Sequence, residues 1–258
     1  MQRFHYGDTP WQFGELRLPS GDGPHPVVVV VHGGGWQSRT NLGYMRPVAE
    51  ALTRRGLATW TVEYRRVGNP GGGWPGTFED VARSTDYLRL LAAAQPLDLQ
   101  RVVSVGHSSG GHLALWLAGR RRLTDPRLAL GESGVAVRGA VSLAGISDLT
   151  AHWTLQREAG RLNLISPLLG GDPDQVPDRV ALASPAELLP LGVPQVLVHG
   201  DADVAVPLGQ SKAYADRARA LGDPVRLVEL PGLGHMDVVD VTGPAWNRVE
   251  QEIRDLLG

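Results

Sequence analysis

The sequence predicts an α/β domain: a mostly parallel central sheet with helices on both faces and a small cap insertion. Three observations carry this reading. Short apolar runs alternate with segments of helical periodicity almost from end to end. One run, Pro26 to His32, is apolar without alternation, as a strand buried on both faces requires. The chain has 258 residues, enough for one large α/β domain with its own core.

Taken in order, Phe13 to Pro19 reads as an early strand, and Pro26 to His32 as the buried one. Leu42 to Arg55 carries apolar residues at helical spacing and stops at Gly56. Ala58 to Tyr64 is rich in β-formers. Phe78 to Ala94 predicts a second helix, with Val81, Leu88 and Leu91 on its apolar side. Arg101 to Gly106 is a strand, Ser109 to Gly119 a helix, and Val137 to Ala144 another strand. From Ser147 to Leu191 the alternation breaks, with several Pro and Gly and no strand pattern. That segment (residues 147–191) is read as a cap-like insertion over one sheet edge of a single domain spanning 1–258. Alternation resumes with strand Gln195 to Val198, helix Leu208 to Leu221, strand Val225 to Leu230 and helix Pro244 to Leu257.

Composition excludes several functions. There is no Cys, so disulfides, thiolate zinc sites and cysteine nucleophiles are absent. Formal charge is −2, with both signs interspersed, which predicts no nucleic-acid surface. The aliphatic run Val27 to Val31 is far too short to span a bilayer, and Met1 to Asp8 has no apolar signal core. The expectation is a soluble cytoplasmic protein that takes a small-molecule substrate and binds neither nucleic acid nor membrane. No His-x-x-x-His or His-Glu-x-x-His spacing occurs, so no metal is expected. Oligomeric state is not encoded in any readable pattern.

Two motifs carry chemistry. Gly106-His107-Ser108-Ser109-Gly110 fits Gly-x-Ser-x-Gly. With 33 glycines in the chain, such a match arises by chance in about one sequence in five, so its setting decides. Strand Val102 to Val105 runs directly into it, and a helix begins directly after. That reversal strains the backbone at the serine, demands small neighbours, and sets the next amide at a helix N-terminus, where negative charge is favoured. A plain helix-capping serine is the competing reading. The second motif, His32-Gly33-Gly34-Gly35-Trp36, follows the buried strand. Successive glycines leave amides unshielded, so Gly34, Gly35 and Ser109 are the predicted oxyanion donors. His32 is expected to shape the loop rather than move protons. The Gly-Lys-Ser/Thr signature of a phosphate loop is missing, both here and in the second run, Gly71 to Gly76.

The first loop resembles the His-Gly-Gly-Gly loop of lipases and esterases, and the chain resembles the α/β-hydrolase superfamily from about Phe13 onward. Within it the chain is similar to a small esterase and kynurenine formamidase-like group with a His-Gly-Gly-x-Trp motif. The resemblance implies the α/β-hydrolase fold and the chain order nucleophile, acid, base. Asp201 and Asp203 both follow the strand Gln195 to Val198; His199-Gly200-Asp201-Ala202-Asp203-Val204-Ala205-Val206-Pro207 resembles the family's His-Gly-x-x-Asp-x-x-Val-Pro pattern, which selects Asp203. His235 is the one His after the last strand. The implied catalytic set is Ser108, Asp203 and His235, with no cofactor. His107 is a residue that touches substrate or simply the variable member of its motif. Trp36, Trp74 and Trp153 are pocket walls or core. The implied function is hydrolysis of small acyl esters through an acyl-enzyme. The alternatives are an arylformamidase acting on N-formylkynurenine, a small aminoacyl-peptidase-like amidase, and a non-catalytic binder on the same scaffold.

Overall fold

The computed structural model describes all residues from Met1 to Gly258. Eight strands form one sheet: β1 (Gln2–His5), β2 (Phe13–Arg17), β3 (His25–Val31), β4 (Ala58–Val62), β5 (Leu97–His107), β6 (Ala140–Leu143), β7 (Gln195–Gly200) and β8 (Val225–Leu230). Their spatial order is β1-β2-β4-β3-β5-β6-β7-β8. The pairs from β4 to β8 are parallel, while β2 runs antiparallel to β4 and β1 to β2. The order turns back at β3, so the crevice beyond the carboxyl ends of β3 and β5 is where such sheets hold their sites. A parallel sheet must be covered on both faces, and β3 shows how. Val27, Val29 and Val31 enter one core, while Val28 and Val30 enter the other.

The first face carries α2 (Gly76–Asp86), α3 (Leu88–Ala92), α4 (Ser109–Gly119) and α8 (Leu208–Ala220). The second carries α1 (Arg46–Arg54) and α9 (Trp246–Asp255). Every residue of α4 is buried, as expected of a helix apolar all round.

The predicted elements recur with shifted ends, and three differences have physical reasons. Strand β1 was not expected: it is a short, largely exposed edge strand without an apolar face. It is held by pairing to β2, by Arg3 over the Phe13 ring at 4.0 Å and by an Arg3–Glu15 ion pair at 2.8 Å. The long helix expected over Phe78 to Ala94 is two helices, separated where the turn tightens at Tyr87 (φ −61°, ψ −22°). Strand β5 starts four residues earlier than expected; Leu97 and Asp98 pair with His25 and Pro26, and the ladder resumes at Val102 opposite Val27. The segment 147–191 holds no strand, as expected, and folds into α5 (Leu149–Glu158), α6 (Ile165–Leu169), α7 (Pro177–Ala183) and a 3₁₀ turn at Pro185–Leu188. No helix is long and apolar enough to cross a membrane.

Candidate active site

The sequence Gly-x-Ser-x-Gly forces a strand-to-helix reversal of minimal length. Ser108 therefore adopts φ 57° and ψ −124°, a backbone conformation costly for any residue with a Cβ. The flanking glycines let backbone approach backbone. A Cβ on Gly106 would sit 2.0 Å from the Gly110 carbonyl oxygen, and one on Gly110 would sit 2.3 Å from the Val31 carbonyl oxygen. The turn is tied to the sheet by Ser108 N–H donating to Leu143 O at 2.9 Å. Between Val102 and Arg120, Ser108 alone is not buried. Gly110→Ala is expected to cost about 1–3 kcal/mol through overpacking against backbone that cannot swing aside. Urea unfolding would measure it, and an unchanged midpoint would show that the reversal relaxes freely.

The glycine loop lies against this turn. A Cβ on Gly33 would meet His107 O at 2.4 Å and Ser108 Cβ at 2.9 Å. Gly34 (φ 105°), Gly35 (φ 64°) and Trp36 (φ 55°) all take the left-handed region. The Trp36 amide donates to Ser109 Oγ at 3.3 Å, joining the loop to the helix start. The amides of Gly34 and Gly35 have no protein acceptor, whereas that of Gly33 donates to Tyr44 Oη. Ser109 opens helix α4, where no intrahelical acceptor exists for its N–H. The amides of Gly34, Gly35 and Ser109 are therefore free of protein acceptors.

Buried charge holds the loop from behind. His32, fully buried, contacts Gly33 O through Nδ1 at 2.8 Å and Glu63 Oε1 through Nε2 at 3.1 Å. Its carbonyl accepts from Tyr64 Oη at 2.8 Å. Glu63 also pairs with Arg66 at 2.8 Å and accepts from the Leu42 amide at 3.0 Å. Burial pushes the Glu63 carboxyl up, but the His32 hydrogen bond and charge, the Arg66 charge and the Leu42 amide outweigh it and hold it below the usual range. His32 thus shapes the loop, as its position predicts. Glu63 escaped the sequence reading; its only signal is a carboxylate closing an otherwise apolar and Thr-rich strand.

The acid and base loops leave the carboxyl ends of β7 and β8. Gly200 allows their approach, since a Cβ there would lie 2.0 Å from Leu233 O. His235 Nδ1 lies 2.7 Å from Asp203 Oδ2. The Asp203 carboxylate is fully buried, and its other oxygen accepts the Ala205 and Val206 amides at 2.8 and 2.9 Å. His199 Nε2 lies 3.2 Å from Oδ2. Burial raises the affinity of Asp203 for a proton, but hydrogen bonds from His199, His235 and the Val206 amide hold it well below the usual carboxylate range. Asp201, exposed, accepts the Gly232 amide at 2.6 Å and acts as a turn cap. The Ser108 hydroxyl makes no cap bond to α4, and the Nε2 atom of His235 has no protein partner. The acceptor nitrogen and the hydroxyl proton it would take are both uncommitted, and such contacts often tighten only with substrate present.

Three of the four pocket candidates, Trp36, Trp153 and His107, are buried, and Trp74 is half-buried. Trp36 is fully buried, edge-on to His112 with centroids 5.1 Å apart, and belongs to the core. Trp153 is 8% exposed; its Nε1 donates to Ser166 Oγ and its ring lies under Arg157, so it knits the insertion together. His107 is 2% exposed, with both ring nitrogens engaged by protein. Trp74 is half-buried against Phe78, and its amide donates to Leu168 O of the insertion. For Trp36, Trp153 and His107, long-range packing placed a large side chain where the local pattern left its direction open.

Other residues of segment 147–191 reach the glycine loop and the acid loop. A Cβ on Gly35 would lie 2.8 Å from Leu164 Cδ1, so Leu164 sits directly over the glycine loop. Arg161 donates to Val204 O at 2.7 Å, tying the insertion to the acid loop. His152 anchors it to α8. Gln156 accepts the Leu164 amide through Oε1, so its Nε2 donates to His152 Nε2. On the other side of the ring, His152 Nδ1 lies 2.9 Å from Gln210 Nε2, in the first turn of α8. Burial, Arg161 and the His235 charge push His152 down to about 4, keeping it neutral.

The sheet order, the strained serine turn and the loops at the carboxyl edge define an α/β-hydrolase fold with a nucleophile elbow. The chain belongs to the BD-FAE family, whose family model matches residues 15–217. It is 31% identical over 260 residues to Esterase LipC of Mycobacterium tuberculosis, covering 96% of this chain and 63% of that protein. It is 28% identical over 242 residues to the same organism's Probable carboxylic ester hydrolase LipM, covering 91% of this chain and 53% of that protein. The chain therefore spans less than two thirds of either relative. A solved carbohydrate esterase from gut microbiota, in truncated form, superposes with TM-score 0.82 at 22% identity, over 99% of this chain and 96% of that one. That likeness is one of fold.

Proposed function

We propose that this protein hydrolyses small carboxylic esters through an acyl-enzyme on Ser108, with His235 as base, Asp203 as its orienting acid and the amides of Gly34, Gly35 and Ser109 as oxyanion hole. The observation that carries the reading is the 2.7 Å Asp203–His235 contact on the same sheet edge as a strained serine that stays accessible where its neighbours are buried. Ser108 Oγ attacks the ester carbonyl while His235 Nε2 takes its proton; Asp203 accepts from Nδ1–H and stabilises the imidazolium. The three amides receive the oxyanion. His235 returns the proton to the departing alkoxide, and water then cleaves the acyl-enzyme by the same sequence. The chain's own groups carry every step. The proposed ligand is a small molecule rather than nucleic acid or membrane, and the proposed compartment is the cytoplasm.

Two features support a small acyl group and an apolar partner. Leu164 over Gly35 limits depth beside the oxyanion loop. Exposed Leu162, Val204 and Met236 adjoin Arg161, Asp203 and His235, forming an apolar rim at the mouth. The names of LipC and LipM favour esters over formamides or aminoacyl amides.

The test compares p-nitrophenyl acetate, the sixteen-carbon ester, N-formylkynurenine and an aminoacyl amide, with Ser108→Ala as blank. The expected result is highest kcat/KM on the acetate and loss of all turnover in the blank. Turnover surviving in Ser108→Ala would refute the nucleophile. Higher kcat/KM on the long ester would refute the small acyl pocket, and higher kcat/KM on N-formylkynurenine would establish the formamidase instead.

A further inference from the structure

We infer that Tyr44 and His107 form a directional hydrogen-bond relay that locks the glycine loop to the His235 loop, making both residues positioning residues for the reaction at Ser108. The inference rests on the serine-hydrolase reading and gives roles to two side chains that the mechanism leaves unused.

Three contacts run in series. Gly33 N–H donates to Tyr44 Oη at 2.6 Å. Tyr44 Oη lies 3.1 Å from His107 Nδ1. His107 Nε2 lies 2.9 Å from the backbone carbonyl oxygen of His235. Their protons are all determined. A carbonyl only accepts, so His107 Nε2 carries hydrogen. Burial and the His235 charge push His107 down to about 3, so the ring holds a single proton and Nδ1 is bare. A bare Nδ1 accepts, so the Tyr44 hydroxyl donates to it. Burial raises the Tyr44 phenol above its usual range, keeping that proton in place. The phenol oxygen is then free to receive the Gly33 amide.

The relay thus points from loop to base: Gly33 N–H to Tyr44, Tyr44 O–H to His107, His107 N–H to His235 C=O. It joins three segments far apart in sequence: the glycine loop, the elbow and the loop after β8. Ring packing follows the same line. Tyr44 and His107 centroids are 5.8 Å apart edge-on, and His107 and His235 centroids 4.6 Å apart. Neutrality of His107 matters at that separation. When His235 becomes an imidazolium, a charged neighbour would oppose it, whereas a neutral ring fixes its backbone without repulsion. Gly33 contributes no oxyanion donor; spending its amide on Tyr44 holds the start of the loop while Gly34 and Gly35 stay free.

Three variants and one spectrum test this. Tyr44→Phe removes the central hydroxyl, and kcat on p-nitrophenyl acetate is expected to fall roughly 10–100-fold, the scale of a small misplacement of reacting groups, with KM within about twofold. His107→Gln keeps an N–H near the Nε2 position and is expected to retain more kcat than His107→Asn, which cannot reach the His235 carbonyl. Nitrogen-15 NMR of the wild-type protein is expected to show His107 as the Nε2–H tautomer. Labelling of Ser108 by a fluorophosphonate separates the two readings. A wild-type protein that fails to label overturns the hydrolase reading. One that labels, while Tyr44→Phe and His107→Asn keep wild-type kcat, overturns the relay. An Nδ1–H tautomer overturns it regardless of whether any variant folds.

Discussion

Asp203→Asn is expected to lower kcat on an aryl acetate about 10⁴-fold, the scale seen when a catalytic histidine is held in the wrong tautomer. The hydrogen-bond pattern dictates how the amide must sit. Asp203 Oδ1 accepts two backbone N–H groups, from Ala205 and Val206, so the carboxamide oxygen of Asn must take that place. Its NH₂ then replaces Oδ2 and donates toward His235 Nδ1. The imidazole responds by carrying its proton on Nε2, where it can no longer accept from Ser108. The same NH₂ also faces His199 Nε2, which donates to Val206 O at 2.8 Å, so a donor meets a donor and stability falls as well. Asp201→Asn is the control. Its carboxylate is exposed and caps one surface turn, so kcat is expected to stay within about threefold of wild type, as for surface changes away from such networks. Steady-state kinetics with both variants decide the matter. Equal losses in the two, or a larger loss in Asp201→Asn, would reverse the assignment of the acid.

Acid is expected to unfold this protein well above the range where its carboxylates titrate. His107 and His112 are pushed down to about 3, chiefly by burial, and His152 to about 4 by burial and nearby positive charge. In the unfolded chain each returns to about 6.5. Because the folded values are the lower ones, the unfolded state binds more protons between about pH 6.5 and 3. Stability is therefore complete above about pH 7 and declines as pH falls through that window. Each histidine contributes a slope of up to about 1.4 kcal/mol per pH unit, so three together remove about 6 kcal/mol between pH 7 and 5. That is comparable to the whole stability of an ordinary domain. Glu15, held at about 2 by Arg46 and Arg3 against the effect of burial, and Asp203, held low by its hydrogen bonds, behave differently. Their stabilisation is present above about pH 4.5 and is lost only as pH drops below it. Two phases of acid loss are thus expected. Urea midpoints at pH 5, 6, 7 and 8 would show the first, and a midpoint unchanged from pH 7 to 5 would contradict the neutrality of all three buried rings.

Much of this was legible in the chain because it depends on local backbone demands. The period of apolar residues reports whether a segment is strand or helix, and β3 reads as doubly buried because five consecutive valines have no polar partner face. The elbow is legible because a strand meeting a helix across five residues admits no other geometry than the strained one seen at Ser108. The glycines at Gly33 to Gly35 report close backbone approach, and His235 follows from strand order. Strand β1 was hidden because an exposed edge strand needs no apolar pattern.

The direction of individual side chains was decided by the tertiary structure alone. Asp201 and Asp203 stand two residues apart in one loop; only the fold shows that Asp203 is buried against His199 and His235 while Asp201 caps a turn in solvent. Trp36 and His107 sit inside the two chemical motifs, yet both turn inward, one into the core and one onto the His235 carbonyl. Tyr44 and Glu63 carry no motif and acquire their roles from residues that approach across the sheet edge. A sequence records which backbone shapes and residue types are available at each position. Which of them meet is set by packing between distant segments, as with His107 and His235, 128 residues apart, and that information is not local.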